Sequence, residues 1–481
     1  MHFAGFGGSQ RRAWRTVPAV LALAAAAVVV PASTAGAAIL VVSNANASGP
    51  GSLSQAIADA IASSGDDEIT FAPATDGVTL PEINIDNSGP DLIRVVGNGR
   101  GTTITGQEID LNASFGNETN VEISGLSAPA IDASAGFDGT LRATFTDLSV
   151  SGPGDIDNNA TCDGDLEVTY SSVVFENGGE FGFSTTGECT ATINALIENS
   201  TIEENADNAL DINGDDISVT VVRSTLVNNE GGAFIYAGEL QMENSTITAS
   251  RSPGIRQFGG AVTLRNVTIS GNELGGIQGP GLVGRSAAAV EGEGTVDLVN
   301  SIVAGNGEIG ECTNAAVVSR GGNVVRDISC GLSGPGDQQG VDPLLGPLAD
   351  NGGPTRTFLP GDESPAIDGG VADGCPDVDQ RGFARSVAVS DDGASTCDSG
   401  SVEVGADAPV STTTTPGEPP TPESGGNCEP DAEVCAEAEG RTAGELPRTG
   451  SGALPGALVG GLALVGGLAL VGAVRRRRPG V

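Results

Sequence analysis

A seven-residue pattern recurs along the chain, starting at Asn120, Asp147, Ser171, Asn199, Arg223, Asn244, Asn266 and Asn300. Each copy carries an apolar residue at its fourth position (Ile123, Val150, Val174, Ile202, Leu226, Ile247, Ile269, Val303), usually followed three residues later by Asn or Gly. The starts lie 21 to 34 residues apart. One short β-branched strand per unit cannot bury its own apolar face, so units at this period must stack into a solenoid. Alternation at period two turns the fourth residue inward, while Asn and Gly tolerate the left-handed backbone of a tight corner. Stacking predicts Asn177, Asn205, Asn229, Asn272 and Asn306 above one another, hydrogen-bonding along the stack. This pattern favours an all-β, right-handed parallel β-helix over a leucine-rich horseshoe, whose Leu-rich consensus is absent. An array of β-sandwiches is the structural alternative.

A solenoid exposes strand edges and apolar surface at its ends, which calls for caps. Residues 51–61 supply one as a short N-terminal helix. Leu53, Ala56, Ile57, Ala60 and Ile61 share a face, with Ser52 as N-cap and Gln55 three residues on.

The termini speak to location. Arg11, Arg12 and Arg15 precede an apolar run from Val17 to Val30 and a small-residue stretch ending at Ala38, which reads as a secretory signal over residues 1–38. At the other end Leu446, Pro447, Arg448, Thr449 and Gly450 precede an apolar span over 453–474, long enough for a transmembrane helix, and then Arg475 to Arg478. Between fold and span, residues 408–445 are rich in Pro, Thr and Glu and read as a disordered, extended wall-spanning stalk.

Composition excludes several chemistries. The chain has no lysine, and its single histidine, His2, falls in the signal segment. Histidine triads, His-ligated zinc, Walker phosphate loops and Schiff-base lysines are therefore ruled out. Signal and tail hold seven of the 22 basic residues, leaving fifteen against 62 acidic ones. A body that acidic repels nucleic-acid phosphate.

The order of LPRTG pentapeptide, span and basic tail resembles the sortase cell-wall sorting signal of Gram-positive surface proteins. The resemblance implies that a sortase attacks the Thr449 carbonyl and transfers Thr449 to a peptidoglycan precursor. It places the mature chain outside the cell, anchored covalently to the wall, with membrane retention through the C-terminal helix only transient. The segment from Val42 to Ile57, followed by Asp67 to Phe71, resembles the N-terminal CSLREA-type segment of bacterial β-helix surface proteins. Gly51 stands where that segment has Cys, and Ser54 and Gln55 stand for Arg-Glu. Further on, Asp342 to Thr357, Ser364 to Gly369, Asp379 to Gly382 and Cys397 to Gly400 look like the choice-of-anchor domain that ends many such proteins. Together these likenesses imply a pectin-lyase-like solenoid over 39–310, with C-terminal coils and cap over 311–407. They imply no established activity.

Eight cysteines form four sequence-local pairs: Cys162 with Cys189, Cys312 with Cys330, Cys375 with Cys397, and Cys428 with Cys435. In an exported chain neighbour pairing is the simplest disulfide arrangement. Asp207, Asp211, Asp215 and Asp216 crowd one coil and form a candidate calcium site, although no cofactor is required; Asp155, Asp157, Asp163 and Asp165 crowd another. Asp379 and Arg381, with Asp368 and Arg385 nearby, should tie down the C-terminal cap by ion pairs.

The resulting expectation is a surface protein displaying a β-helix for adhesion or for contact with polysaccharide or host matrix. The alternative is a wall-tethered polysaccharide lyase or glycoside hydrolase working through Asp and Arg, with Arg223, Arg251, Arg256 and Arg265 on neighbouring coils. An enzyme requires carboxylates and arginine in one groove, whereas a display protein can scatter them. Aromatic side chains for stacking on sugars are scarce, with only Tyr170 and Tyr236 besides the phenylalanines.

Overall fold

Corners decide this architecture. In the computed structural model, Asp147, Ser172, Asn199, Arg223, Asn244, Asn266 and Asn300 all adopt positive φ, between 48° and 57°. Each turns the chain from one sheet into the next. The structure describes residues 37–406 apart from 105–107, 188–189, 280–293, 308, 386–387 and 390–394. The signal segment, stalk, pentapeptide and apolar span lie outside the described residues, as do Cys189, Cys428 and Cys435. Among the described residues no helix is long and apolar enough to cross a membrane.

The described chain winds into a parallel β-solenoid of the right-handed type with about eleven turns. Each turn contributes a strand to each of three parallel sheets, which hold 12, 12 and 10 strands among the described residues. One coil shows the order: Thr192–Glu198 in the first sheet, Thr201–Glu203 in the second, Asn208–Asn213 in the third, then Ile217–Val222 back in the first. Alternation decides what enters the core. Ile193, Ile197, Ile202, Leu210 and Ile212 are all at most 1% exposed. In the middle coils Phe145 stacks on Tyr170 at 4.9 Å, and Tyr170 meets Phe181 edge-on at 4.8 Å. The Tyr170 hydroxyl donates to Asn158 at 2.9 Å, which satisfies the one polar atom its ring carries inside. Burial raises the pKa of that phenol, so it stays protonated.

The N-terminal helix, α1 (Leu53–Ala62), covers the first coil with Leu53, Ala56, Ile57 and Ala60 buried and Ile61 half-buried. Ser52 accepts from the Gln55 amide at 3.2 Å. The Gln55 side chain turns forward to Asp59 at 2.7 Å.

The asparagine stack exists with Gly178 in place of Asn177 and with Ser250 interposed between Asn229 and Asn272. The Gly178 amide donates to Asn205, the Asn205 amide to Asn229, the Ser250 amide to Asn272 and the Asn272 amide to Asn306, at 2.8–3.1 Å. Asn306 ends the series by donating to the Glu311 carboxylate at 2.7 Å. Asn177 is not in this stack. It is the left-handed corner residue one step earlier (φ 57°), and Gly178 fills the slot. The repeat that starts at Ser171 is therefore shifted by one residue: Phe175 pairs with Ile202 and points inward, whereas Val174 is half-buried. The Asn120 copy is displaced further. Its Ile123 lies in a first-sheet strand, Glu118–Ser124, and the corner falls at Gly125.

Beyond the last rung, Gln338–Gln339, the chain crosses the flank of the solenoid. The described residues of 342–406 form a clasp over the outer face of the second sheet. The Thr225 hydroxyl donates to the Arg356 carbonyl at 2.7 Å, Asn244 donates to Val378 at 2.8 Å, Asn266 to Asp398 at 3.0 Å and Asn300 to Val371 at 3.0 Å. Those three asparagines are corner residues, so their side chains project outward into the clasp. Gln380 is completely buried, donates to Thr225 at 2.8 Å and accepts from Thr246 at 2.7 Å. One expected ion pair is present, Arg381 with Asp379 at 2.7 Å, while Arg385 pairs with Glu403 at 3.1 Å and not with Asp368. Asp368 joins through its backbone amide, which donates to Asp398 at 2.7 Å. Disulfides link Cys312 with Cys330 and Cys375 with Cys397.

Candidate functional site

The three outer faces differ in what covers them. On the first sheet, arginines pair with carboxylates one rung away: Arg94 with Glu122 at 2.8 Å, Arg142 with Glu167 at 2.9 Å, Arg223 with Glu198 at 3.2 Å and Arg265 with Glu243 at 3.4 Å. The second sheet carries the clasp over its later rungs. Among the described residues the third sheet has neither cover.

Register stacks its outward side chains into columns. Asp110, Asp132, Asp157, Gly182 and Asp211 occupy one column on successive rungs, followed by Phe234, Arg256 and Gln278. Parallel rungs lie about 4.8 Å apart, so the carboxylates confront one another with no arginine among them. Burial, then the charges of Asp132 and Glu108, raise Asp110 to about 6. Burial, then Asp155 and Asp132, raise Asp157 to about 6. Glu180, half-buried beside Asp211, Asp207, Asp155 and Asp157, reaches about 7. Asp211 is also raised, chiefly by burial.

An aromatic platform lies in the column beside the acidic one, past Asn213. Tyr236 and Phe258 stack at 4.8 Å with an interplanar angle of 5°. Tyr236 is 42% exposed. The Arg256 guanidinium lies 4.9 Å from the Phe258 centroid and 5.6 Å from that of Phe234. Beside Tyr236, a depression of about 300 Å³ is lined by Thr186, Asn213, Asp215, Asp216 and Ala237. A second exposed pair, Phe115 and Phe137, stacks at 5.1 Å in left-handed corners of earlier rungs.

These placements sort the sequence candidates. Asp211 lies in the third-sheet column and Asp207 just before it, whereas Asp215 and Asp216 sit past the corner in the depression. The same corner divides Asp155 and Asp157 from Asp163 and Asp165. Among the described residues no three His, Cys, Asp or Glu side chains are grouped to hold a metal ion. Of the four arginines on neighbouring coils, Arg223, Arg251 and Arg265 are bound to glutamates, and Arg256 alone joins the third-sheet face. Tyr170 is sealed in the core and unavailable to a ligand. Sequence reasoning passed over Phe234 and Phe258, although Tyr236 and Phe258 stand one repeat length apart. No family model matches the chain, nor does any curated protein.

Proposed function

We propose that the chain is an exported protein held at a Gram-positive cell wall, which displays its solenoid for contact with carbohydrate or matrix through the third-sheet face. Support for anchoring comes from Leu446 to Gly450, the apolar span behind them and the four terminal arginines. A sortase would form an acyl bond at Thr449, release Gly450 with the tail, and pass Thr449 to a peptidoglycan precursor. The likeness of residues 342–400 to a choice-of-anchor domain agrees with this reading, as do disulfides suited to an oxidising exterior. The contact face rests on one observation: the exposed Tyr236–Phe258 stack, in the column beside the one that carries Asp110, Asp132, Asp157 and Asp211. Two assays test the proposal. Thr449→Ala should move the protein from wall to membrane and medium fractions, and the full chain should retain a soluble or particulate glycan. Unchanged wall linkage in the variant would refute the anchor; absence of any glycan or matrix retention would refute the contact role.

A wall-tethered lyase or glycoside hydrolase is a second reading, favoured by Glu180. A half-buried carboxyl raised to about 7 can hold its proton near neutral pH and so act as a general acid. Release of reducing ends that Glu180→Gln abolishes would establish it.

A further inference from the structure

The exposed aromatic stack raises the question of what kind of ring it receives. Resting on the reading of this face as a glycan contact, we propose that Tyr236, Phe258 and Arg256 form a subsite for an uncharged sugar ring, and that the face discriminates against acidic and amino sugars.

Arg256 is the anomaly that leads there. Ten arginines have a carboxylate within 4.0 Å. Among the described residues Arg256 has none, in a chain with 62 acidic side chains to choose from. Its guanidinium lies instead over the Phe234 and Phe258 rings. Ring stacking orients the group while leaving its in-plane N–H donors unused. Such a fork is preorganised to donate hydrogen bonds to a ligand.

Charge then selects the ligand. Burial raises the pKa of the Tyr236 hydroxyl, the charges of Asp211, Asp207 and Glu180 add to the rise, and Arg256 opposes it. Asp215 and Asp216 line the adjoining depression. A sugar carboxylate or sulfate would gain one guanidinium and meet these acidic groups at close range. An ammonium sugar would be drawn to the carboxylates but could not accept from Arg256 through its charged group, and would meet like charge on the platform. A hydroxyl escapes both penalties, since it accepts from the guanidinium and donates to a carboxylate. The C–H face of the same ring covers Tyr236, and the depression beside it takes the next part of the ligand. A neutral, polyhydroxylated ring is the one ligand that uses every group present.

The test is a binding panel with the full-length purified chain: neutral cello-, xylo- and manno-oligosaccharides, oligogalacturonate, and glucosamine oligomers. Binding of at least one neutral series, with Tyr236→Ala and Arg256→Gln each weakening it about tenfold or more, is the expected result. Tyr236→Phe should keep most of the affinity, because the stacking face survives. Unchanged melting of each variant would assign the loss to the site and not to the fold. Preference for oligogalacturonate or glucosamine oligomers overturns the inference while leaving glycan contact standing. So does neutral binding that the two variants leave intact. No binding to any glycan overturns the contact reading itself.

Discussion

Arg385 and Glu403 form an ion pair at 3.1 Å with both side chains at most 2% exposed, in the seam between the clasp and the solenoid flank. Arg385 also reaches the Asn244 side chain at 2.8 Å and the Gly400 carbonyl at 2.9 Å, so one guanidinium ties a corner of the repeat to the clasp. Burial pushes its pKa down and that of Glu403 up; the surrounding hydrogen bonds offset part of this desolvation.

Removing one partner should therefore cost far more than a surface pair would. Arg385→Ala or Glu403→Ala is expected to destabilise the protein by about 3–5 kcal/mol, because each leaves a buried charge without its ion-pair partner. Arg142→Ala, on the exposed first-sheet pair, should cost under about 1 kcal/mol. Urea denaturation of the three variants checks the contrast.

The carboxylate column gives a pH dependence of definite sign. Asp110, Asp157 and Glu180 have folded pKa values of about 6, 6 and 7, above their ordinary values of 3.8, 3.8 and 4.5. Between these limits the folded state holds more protons than the unfolded one, so stability falls as pH rises. This contribution is fully present below about pH 4 and is lost progressively up to about pH 7. The groups are only half-buried, so solvent screening reduces the effect to about 1 kcal/mol each. Melting should be higher at pH 5 than at pH 8, and Asp157→Asn should flatten the slope. A melting temperature that climbs between pH 5 and 8 would refute the column's role.

The asparagine stack should be most sensitive at its terminus. Asn306 accepts from the Asn272 amide and donates to the Ile269 carbonyl and to Glu311. Asn306→Ala removes all three bonds, although Glu311 keeps the Gly305 and Asn306 amides, and at about 1–3 kcal/mol per orphaned group the loss should exceed that of Asn205→Ala. Chemical denaturation compares them.

Opening the Cys375–Cys397 disulfide should loosen the clasp before the coils. Ser at both positions is expected to cost about 2–4 kcal/mol and to create new protease cleavages within residues 342–406 while the rungs remain resistant. Cleavage appearing first among the rungs would contradict that order.

The solenoid was readable because its information is local. An inward Ile or Val, a corner Asn and the next inward residue sit within seven positions, and neighbouring rungs repeat them. The one-residue slip at Ser171 arose because Val173, Val174 and Phe175 offer three apolar side chains in a row, so period two alone cannot choose the register. The clasp was legible as a polar motif around Asp379 and Arg381, but its position was not. Its partners lie from 71 to more than 130 residues away in sequence, as for Asn300 with Val371 and Asn244 with Val378, and Asn244 looks like any other corner residue. The aromatic platform was hidden for a similar reason. Phe234, Tyr236, Arg256 and Phe258 belong to two rungs, and only parallel register brings them together.

The clasp also determines how the molecule carries load. The chain leaves the described fold at residue 406, directly after Glu403 and Val404, whose amides donate to Asp379 and Asp398. Tension applied from the C-terminal side therefore reaches Arg381, Arg385 and the corner asparagines before it reaches any rung. The strands can stay wound while that cross-tied seam, reinforced by the Cys375–Cys397 bond, takes the strain as a strain-relief fitting does for a cable.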